Sequence, residues 1–239
     1  MTRVAIMVDG AFYQKRANIL FGRPAPSGPV TAEDRANELV KYCSRHLQHR
    51  DGETCSLYRI FYYDCPPSEK IIYHPLTQRS VSLKGTPLYS WSKDFHSALA
   101  SKRKVALRMG ELLESTAGYS ILPETVKKLC RKEIEIDDLT EADFYLDIQQ
   151  KGVDMKIGLD IASIAYKRLV DRVVLIAGDS DFVPAAKHAR REGIDFILDP
   201  MWHTIKPSLN LHIDGLVSCV SKPPNNLTDP LCKIPPATE

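Results

Sequence analysis

The stretch Val173-Val174-Leu175-Ile176-Ala177-Gly178-Asp179-Ser180-Asp181-Phe182 constrains this chain more than any other. An unbroken apolar run fits a strand buried on both faces, as in a parallel sheet. Gly178 supplies the turn that ends it. Asp179 and Asp181 then fall just past the strand's carboxyl end, where open α/β sheets place their ligands. A second run, Val4-Ala5-Ile6-Met7-Val8, ends in Asp9 followed by Gly10. A third acid, Asp154, closes Lys151-Gly152-Val153-Asp154 at the start of a helical pattern. Acids brought from three distant segments to one sheet edge repel each other and call for a compensating charge. A divalent cation, Mg²⁺ or Mn²⁺, is the simplest candidate, because hard cations prefer carboxylate oxygens.

The rest of the chain fits an α/β reading. Strands are expected at 3–8, 56–64, 104–112, 172–177, 194–198 and 216–220. Helices are expected at 11–20, 31–49, 94–101, 154–169, 182–192 and 208–212. Thr31 is a suitable N-cap with Asp34 three positions on, and Gly193 stops the helix before it. Alternating strands and helices predict one three-layer α/β/α domain over residues 1–221, Rossmann-like, with a mostly parallel sheet. Residues 65–92, with Pro66, Pro67, Pro75 and Pro87, read as an irregular insertion or lid. Residues 123–148 read as a solvated surface segment, basic and then acidic. The proline-rich tail from 222 to 239 reads as disordered.

Charge and cysteines set broad limits. A formal net charge of +2 neither diagnoses nor excludes a nucleic-acid partner. The six cysteines form no C-x-x-C pair, so free thiols in a reducing compartment and a cytoplasmic location are expected. No apolar run is long enough for a membrane span.

Each acid has a plainer explanation. Asp9 can close a turn, and Asp181 or Asp154 can cap a helix. Capping by Asp181 still leaves Asp179 unexplained. Asp160 lies near the apolar face of its helix, and a buried aspartate needs a partner; a metal, a metal-bound water or Lys151 could serve. Together Asp9, Asp154, Asp179 and Asp181 form an oxygen-only set suited to one or two Mg²⁺ or Mn²⁺ ions in phosphodiester cleavage, with Asp160 as a secondary ligand. Lys151, Ser180, Arg108 and Lys104 are the expected substrate contacts. Tyr89 and Trp91 can stack on bases or pack inward. Other chemistries lack their signatures: no G-x-x-x-x-G-K-[ST] loop, no G-x-G-x-x-G after a strand and no G-x-S-x-G elbow. An aspartate-nucleophile phosphatase would need a second acid two residues after Asp9, where Ala11 stands. The histidines are scattered, and His46 and His49 read as part of an exposed helix.

Val8-Asp9-Gly10, Gln150-Lys151-Gly152-Val153-Asp154 with Asp160, and Ala177-Gly178-Asp179-Ser180-Asp181-Phe182 with Pro184 resemble the NYN-domain family of PIN-like nucleases. The Leu107-Arg108-Met109-Gly110-Glu111 strand and the Arg190-Arg191-Glu192-Gly193 helix end fit as well. The resemblance spans about residues 3 to 217. One departure is Ala11-Phe12, where many relatives carry an asparagine. The resemblance implies a PIN-type fold and a Mg²⁺- or Mn²⁺-dependent ribonuclease in which Asp9, Asp154, Asp179 and Asp181 are the metal ligands and RNA is the partner. The alternative is a non-catalytic RNA- or protein-binding module on the same fold.

Overall fold

The computed structural model describes residues 1–22, 29–48 and 54–222 of the 239-residue chain. In chain order the first half holds β1 (Thr2–Asp9), α1 (Gly10–Leu20), α2 (Ala32–Arg45), β2 (Cys55–Asp64), β3 (Ile71–His74), β4 (Arg79–Ser82), α3 (Pro87–Ser101), β5 (Val105–Met109) and β6 (Glu111–Leu112). The second half holds β7 (Gly118–Ile121), α4 (Pro123–Cys130), β8 (Phe144–Asp147), β9 (Gln150–Lys151), α5 (Val153–Tyr166), β10 (Arg172–Ile176), α6 (Val183–Arg191), β11 (Asp195–Asp199), α7 (Pro207–Asn210) and β12 (Gly215–Leu216).

Six strands form one sheet in the order β12-β11-β10-β1-β2-β5, and every neighbouring pair is parallel. The expected three-layer α/β/α architecture is therefore present. Its layers follow from side-chain alternation along the strands. Ala5 and Met7 of β1, with Val173 and Leu175 of β10, pack on one face against Ile157, Ile161 and Ala165 of α5 and Ala186 and Ala189 of α6. Val4, Ile6 and Val8, with Val174 and Ile176, pack on the other face against Tyr13 and Ala17 of α1, Leu39 and Cys43 of α2, and Phe95 and Leu99 of α3. Both faces are covered, which is why β1 and β10 read as continuous apolar runs rather than alternating ones.

The order also creates a crevice. The chain adds β2 and β5 on one side of β1, then returns to lay β10 and β11 on the other. Between β1 and β10 the direction of winding reverses, the place where doubly wound sheets open at their carboxyl ends.

Residues 65–92 depart from the expected irregular insertion. They contain the β3–β4 hairpin, with Ile72↔Val81 and Tyr73↔Ser80 paired, and the first turn of α3. Pro87 starts this helix instead of breaking it, because it occupies the first turn, where no intrahelical N–H is needed. Thr86 caps it, accepting from the Tyr89 N–H at 3.2 Å. Residues 123–148 are likewise more ordered than expected: α4 is followed by β8, which pairs antiparallel with β7. The strand expected over 104–112 is interrupted at Gly110 into β5 and β6. Thr31 caps α2 as expected, accepting from Asp34 N–H at 3.1 Å. The helix ends at Arg45, and residue 49 lies outside the described residues, as does the tail from 223 onward. Among the described residues no helix is long and apolar enough to cross a membrane.

Candidate acidic site at the sheet's carboxyl edge

Asp9 is the last residue of β1, and its side chain caps α1 by accepting from the Phe12 N–H at 3.1 Å. The following Gly10 is required by space. A Cβ there would stand 2.6 Å from the Tyr63 carbonyl oxygen and 2.7 Å from the Tyr62 ring. Asp179 follows β10 and caps a 3₁₀ turn over Ser180–Phe182, accepting from the Asp181 N–H at 3.1 Å. The capping roles are thus the reverse of the sequence expectation: Asp179 caps, and Asp181 is an exposed residue within the turn. Gly178 is wedged beside them. A Cβ would lie 2.6 Å from Phe12 and 2.9 Å from His203, so a larger residue would force these rings or the backbone to shift. Asp154 lies in the first turn of α5, but Gly152, with φ of 78°, is the N-cap. Capping therefore does not account for Asp154.

Asp9, Asp154 and Asp179 line one cleft of about 280 Å³, together with Ala11, Gln150, Gly152, Val153 and Met155. It opens at the winding reversal between β1 and β10. Its electrostatics are those of crowded like charges. Burial pushes the Asp9 carboxyl up to about 6; the Phe12 N–H opposes this, and the charges of Asp154 and Asp64 add to it. Burial also raises Asp154, with further upward pressure from Asp179 and Asp181. Asp154 thus links the set, coupled to Asp9 on one side and to Asp179 and Asp181 on the other, although Asp181 does not line the cleft.

This donor set, all carboxylate oxygen under mutual repulsion, fits a hard divalent cation. Among the described residues no three acidic, histidine or cysteine side chains are arranged to hold a metal ion by themselves. That is compatible with Mg²⁺, which is commonly held by one or two carboxylates with waters and substrate phosphates completing its shell.

The secondary residues are distributed less favourably. Asp160 is bound by two protein side chains. Arg108 Nε reaches Oδ2 at 2.9 Å and Nη2 donates to Oδ1 at 3.0 Å, while Tyr63 Oη donates to Oδ2 at 2.9 Å. Arg108 is accordingly committed to Asp160 and to the Phe61 ring, 5.6 Å from its guanidinium. Lys104 stands immediately before β5, at the amino end of a parallel strand, with its ammonium on the Leu57 carbonyl. The acids sit at the carboxyl end, so Lys104 does not line their cleft. Lys151, on β9, is exposed next to the cleft-lining residues Gln150 and Gly152. Ser180 Oγ contacts Asp179 at 3.5 Å and accepts from Lys206 Nζ at 3.1 Å. Tyr89 and Trp91 lie on α3 and pack inward. Tyr89 bonds to Glu69, and Trp91 donates to the Val30 carbonyl at 3.0 Å and stacks on Phe95.

Two participants escaped the sequence reading. Lys206 brings a cation beside Ser180 and Asp179. Asp64 ends β2 as Asp9 ends β1, a pattern visible in the sequence. It accepts from Cys65 N–H at 2.7 Å and Gln150 Nε2 at 3.1 Å, and contacts His96 Nε2 at 3.1 Å. It thereby fixes Gln150 in the wall of the cleft.

A parallel α/β sheet carrying an acidic cleft at its winding reversal places the chain among doubly wound α/β proteins with a ligand position at the carboxyl edge. The NYN domain model matches residues 77–206, more than half of the sequence, and the chain belongs to the NYN domain family. NYN domains are generally nucleases, which supports a hydrolase of that class. No curated protein matches the chain. Among solved structures it is similar to a protein of unknown function from Vibrio parahaemolyticus, at 16% identity, with 91% of this chain and 92% of that one covered and a TM-score of 0.42.

Proposed function

We propose that the chain is a divalent-metal-dependent ribonuclease, with Asp9, Asp154, Asp179 and Asp181 as its metal-holding carboxylates. The observation that carries this reading is the convergence of Asp9, Asp154 and Asp179, from three separate segments, on one cleft where protein donors do not cancel their charge. Bound there, Mg²⁺ or Mn²⁺ would neutralise that charge and polarise the scissile phosphodiester. The remaining work falls to the chain. The Phe12 and Asp181 amides fix the orientations of Asp9 and Asp179. Lys206, anchored on Ser180, and the exposed Lys151 beside Gln150 supply positive charge near the acids for the RNA backbone. Gln150, held by Asp64, shapes the wall between them. Attack of water on phosphorus leaves a 5′-phosphate and a 3′-hydroxyl.

The test is cleavage of mixed end-labelled single-stranded RNA with Mn²⁺ or with EDTA. Wild type should cleave only with the ion. Asp179→Asn should lose about 10²–10³-fold in rate, the scale of removing one electrostatic group from a reacting centre, while still binding RNA. Products ending only in 2′,3′-cyclic phosphate would overturn the mechanism. The second reading, a non-catalytic RNA- or protein-binding module, draws on the lack of a self-sufficient three-ligand group among the described residues. Undiminished RNA binding without cleavage would favour it.

A further inference from the structure

A second cluster of reactive groups lies away from the acidic cleft. Asp199, the last residue of β11, is fully buried and saturated with donors. Its Oδ1 accepts from Met201 N–H at 2.8 Å and Ser218 Oγ at 3.1 Å. Its Oδ2 accepts from Tyr42 Oη and faces His46 Nε2 at 2.8 Å. A carboxylate that only accepts at this oxygen places a hydrogen on Nε2 of His46. The other ring nitrogen, Nδ1, is turned to Cys219 Sγ at 3.4 Å. The Cys219–His46–Asp199 line therefore has the connectivity of a nucleophile, a base and an orienting acid.

The electrostatics agree with this geometry. Burial opposes a charge on His46, but its hydrogen bonds to Asp199 and Cys219 more than offset that and hold it up to about 9. At neutral pH the ring is an imidazolium whose Nδ1–H faces the sulfur. Arg45 adds positive charge, donating from Nη1 to the Cys219 carbonyl at 3.0 Å. The other titratable neighbours do not compete for this proton. Tyr42 donates to Asp199, and burial pushes both the Tyr42 hydroxyl and the Cys43 thiol far up, so both stay neutral. Cys43 is fully buried, whereas Cys219 is partly exposed. Among the described residues Cys130 is the exposed cysteine. His46 was expected on an exposed helix; its side chain is instead 3% exposed.

We propose that Cys219 is a nucleophilic thiol set up by His46 and Asp199, and the chain's site of modification by hydroperoxides. The Cys219 thiolate attacks one peroxide oxygen. An S–O bond forms and the O–O bond breaks. Sulfur is oxidised by two electrons to a sulfenic acid, and the peroxide is reduced to an alkoxide or hydroxide that takes the Nδ1 proton of His46. This does not depend on the acidic cleft being a nuclease.

The test uses the full chain. Iodoacetamide labelling at pH 6, read peptide by peptide by mass spectrometry, should modify Cys219 about tenfold faster than Cys130, although Cys130 is the more exposed. His46→Asn, which can still donate to Asp199, should slow Cys219 by about tenfold and leave Cys130 unchanged. After hydrogen peroxide, dimedone should mark Cys219. A Cys219 rate no higher than that of Cys130, a rate indifferent to His46→Asn, or no dimedone adduct would each overturn the proposal. Labelling of Cys43 in the variant would report unfolding, and the wild-type ratio then decides.

Discussion

Asp9 and Asp199 occupy equivalent places, each the last residue of a parallel strand in the same sheet, yet their surroundings are opposite. Asp199 is wholly buried and its two oxygens receive four side-chain and backbone contacts. Asp9 has the backbone amides of Phe12 and, more weakly, Ala11, and faces the like charges of Asp154 and Asp64. A saturated carboxylate is part of the structure, and its removal leaves buried donors stranded. An unsaturated one is destabilised as it stands and gains by meeting a cation. The difference separates two kinds of strand-end aspartate by counting donors, without reference to exposure alone.

The largest expected effect comes from the saturated member. Asp199→Ala should cost about 3–5 kcal/mol, read as a fall in the urea midpoint, because it leaves the His46 charge, a tyrosine hydroxyl and a backbone amide buried without an acceptor. A loss under about 1 kcal/mol, the worth of an ordinary hydrogen bond, would break the comparison.

Asp9→Asn should act in the other direction. The asparagine keeps the helix cap and removes a group whose folded-state pKa is raised from 3.8 to about 6. Such a group favours the fold fully only below 3.8, and that support is lost as pH rises through 6. The variant should therefore be more stable than wild type at pH 7.5, by up to about 3 kcal/mol, and no more stable below pH 3.8. His46, raised to about 9 from 6.5, obeys the same sign in a higher window: its support is complete below 6.5 and is lost through 9. Guanidinium melts across pH would show whether the two windows separate.

The smallest effect sharpens the contrast most directly. Mg²⁺ at ten times its dissociation constant should stabilise wild type by about 1.4 kcal/mol, seen as a rise in thermal midpoint that EDTA reverses. Asp9→Asn should lose the shift and His46→Asn should keep it. A shift that survives in Asp9→Asn would move the ion elsewhere.

What the sequence revealed was what depends on short-range pattern. The β1 and β10 runs, the Thr31 cap and the acids after each strand all follow from neighbours along the chain. What it concealed depends on partners far apart in sequence. Arg108 answers Asp160 only because β5 lies beside β2, placing Arg108 opposite Tyr63. His46 meets Asp199 only because α2 covers the face behind β11. Residues 71–82 were hidden for another reason: two four-residue strands are too short to show alternation, and the turn between them uses Gln78 at φ 55° in place of a glycine. Lys206 carried no motif at all, and its role depends on where the chain returns after β11.

The central strand of the sheet has a consequence in time. β1 is made well before its partner β10, and Asp9 and Asp179 lie 170 positions apart in the chain. At synthesis rates of about 5–20 residues per second, that leaves roughly 10–30 s between the two. During this interval an apolar strand waits with one edge unpaired, which exposes it to wrong pairing. The same interval keeps the acidic cleft unassembled until Asp179 has followed Asp9 out of the ribosome, so the cleft cannot act while the intervening segments are still being made.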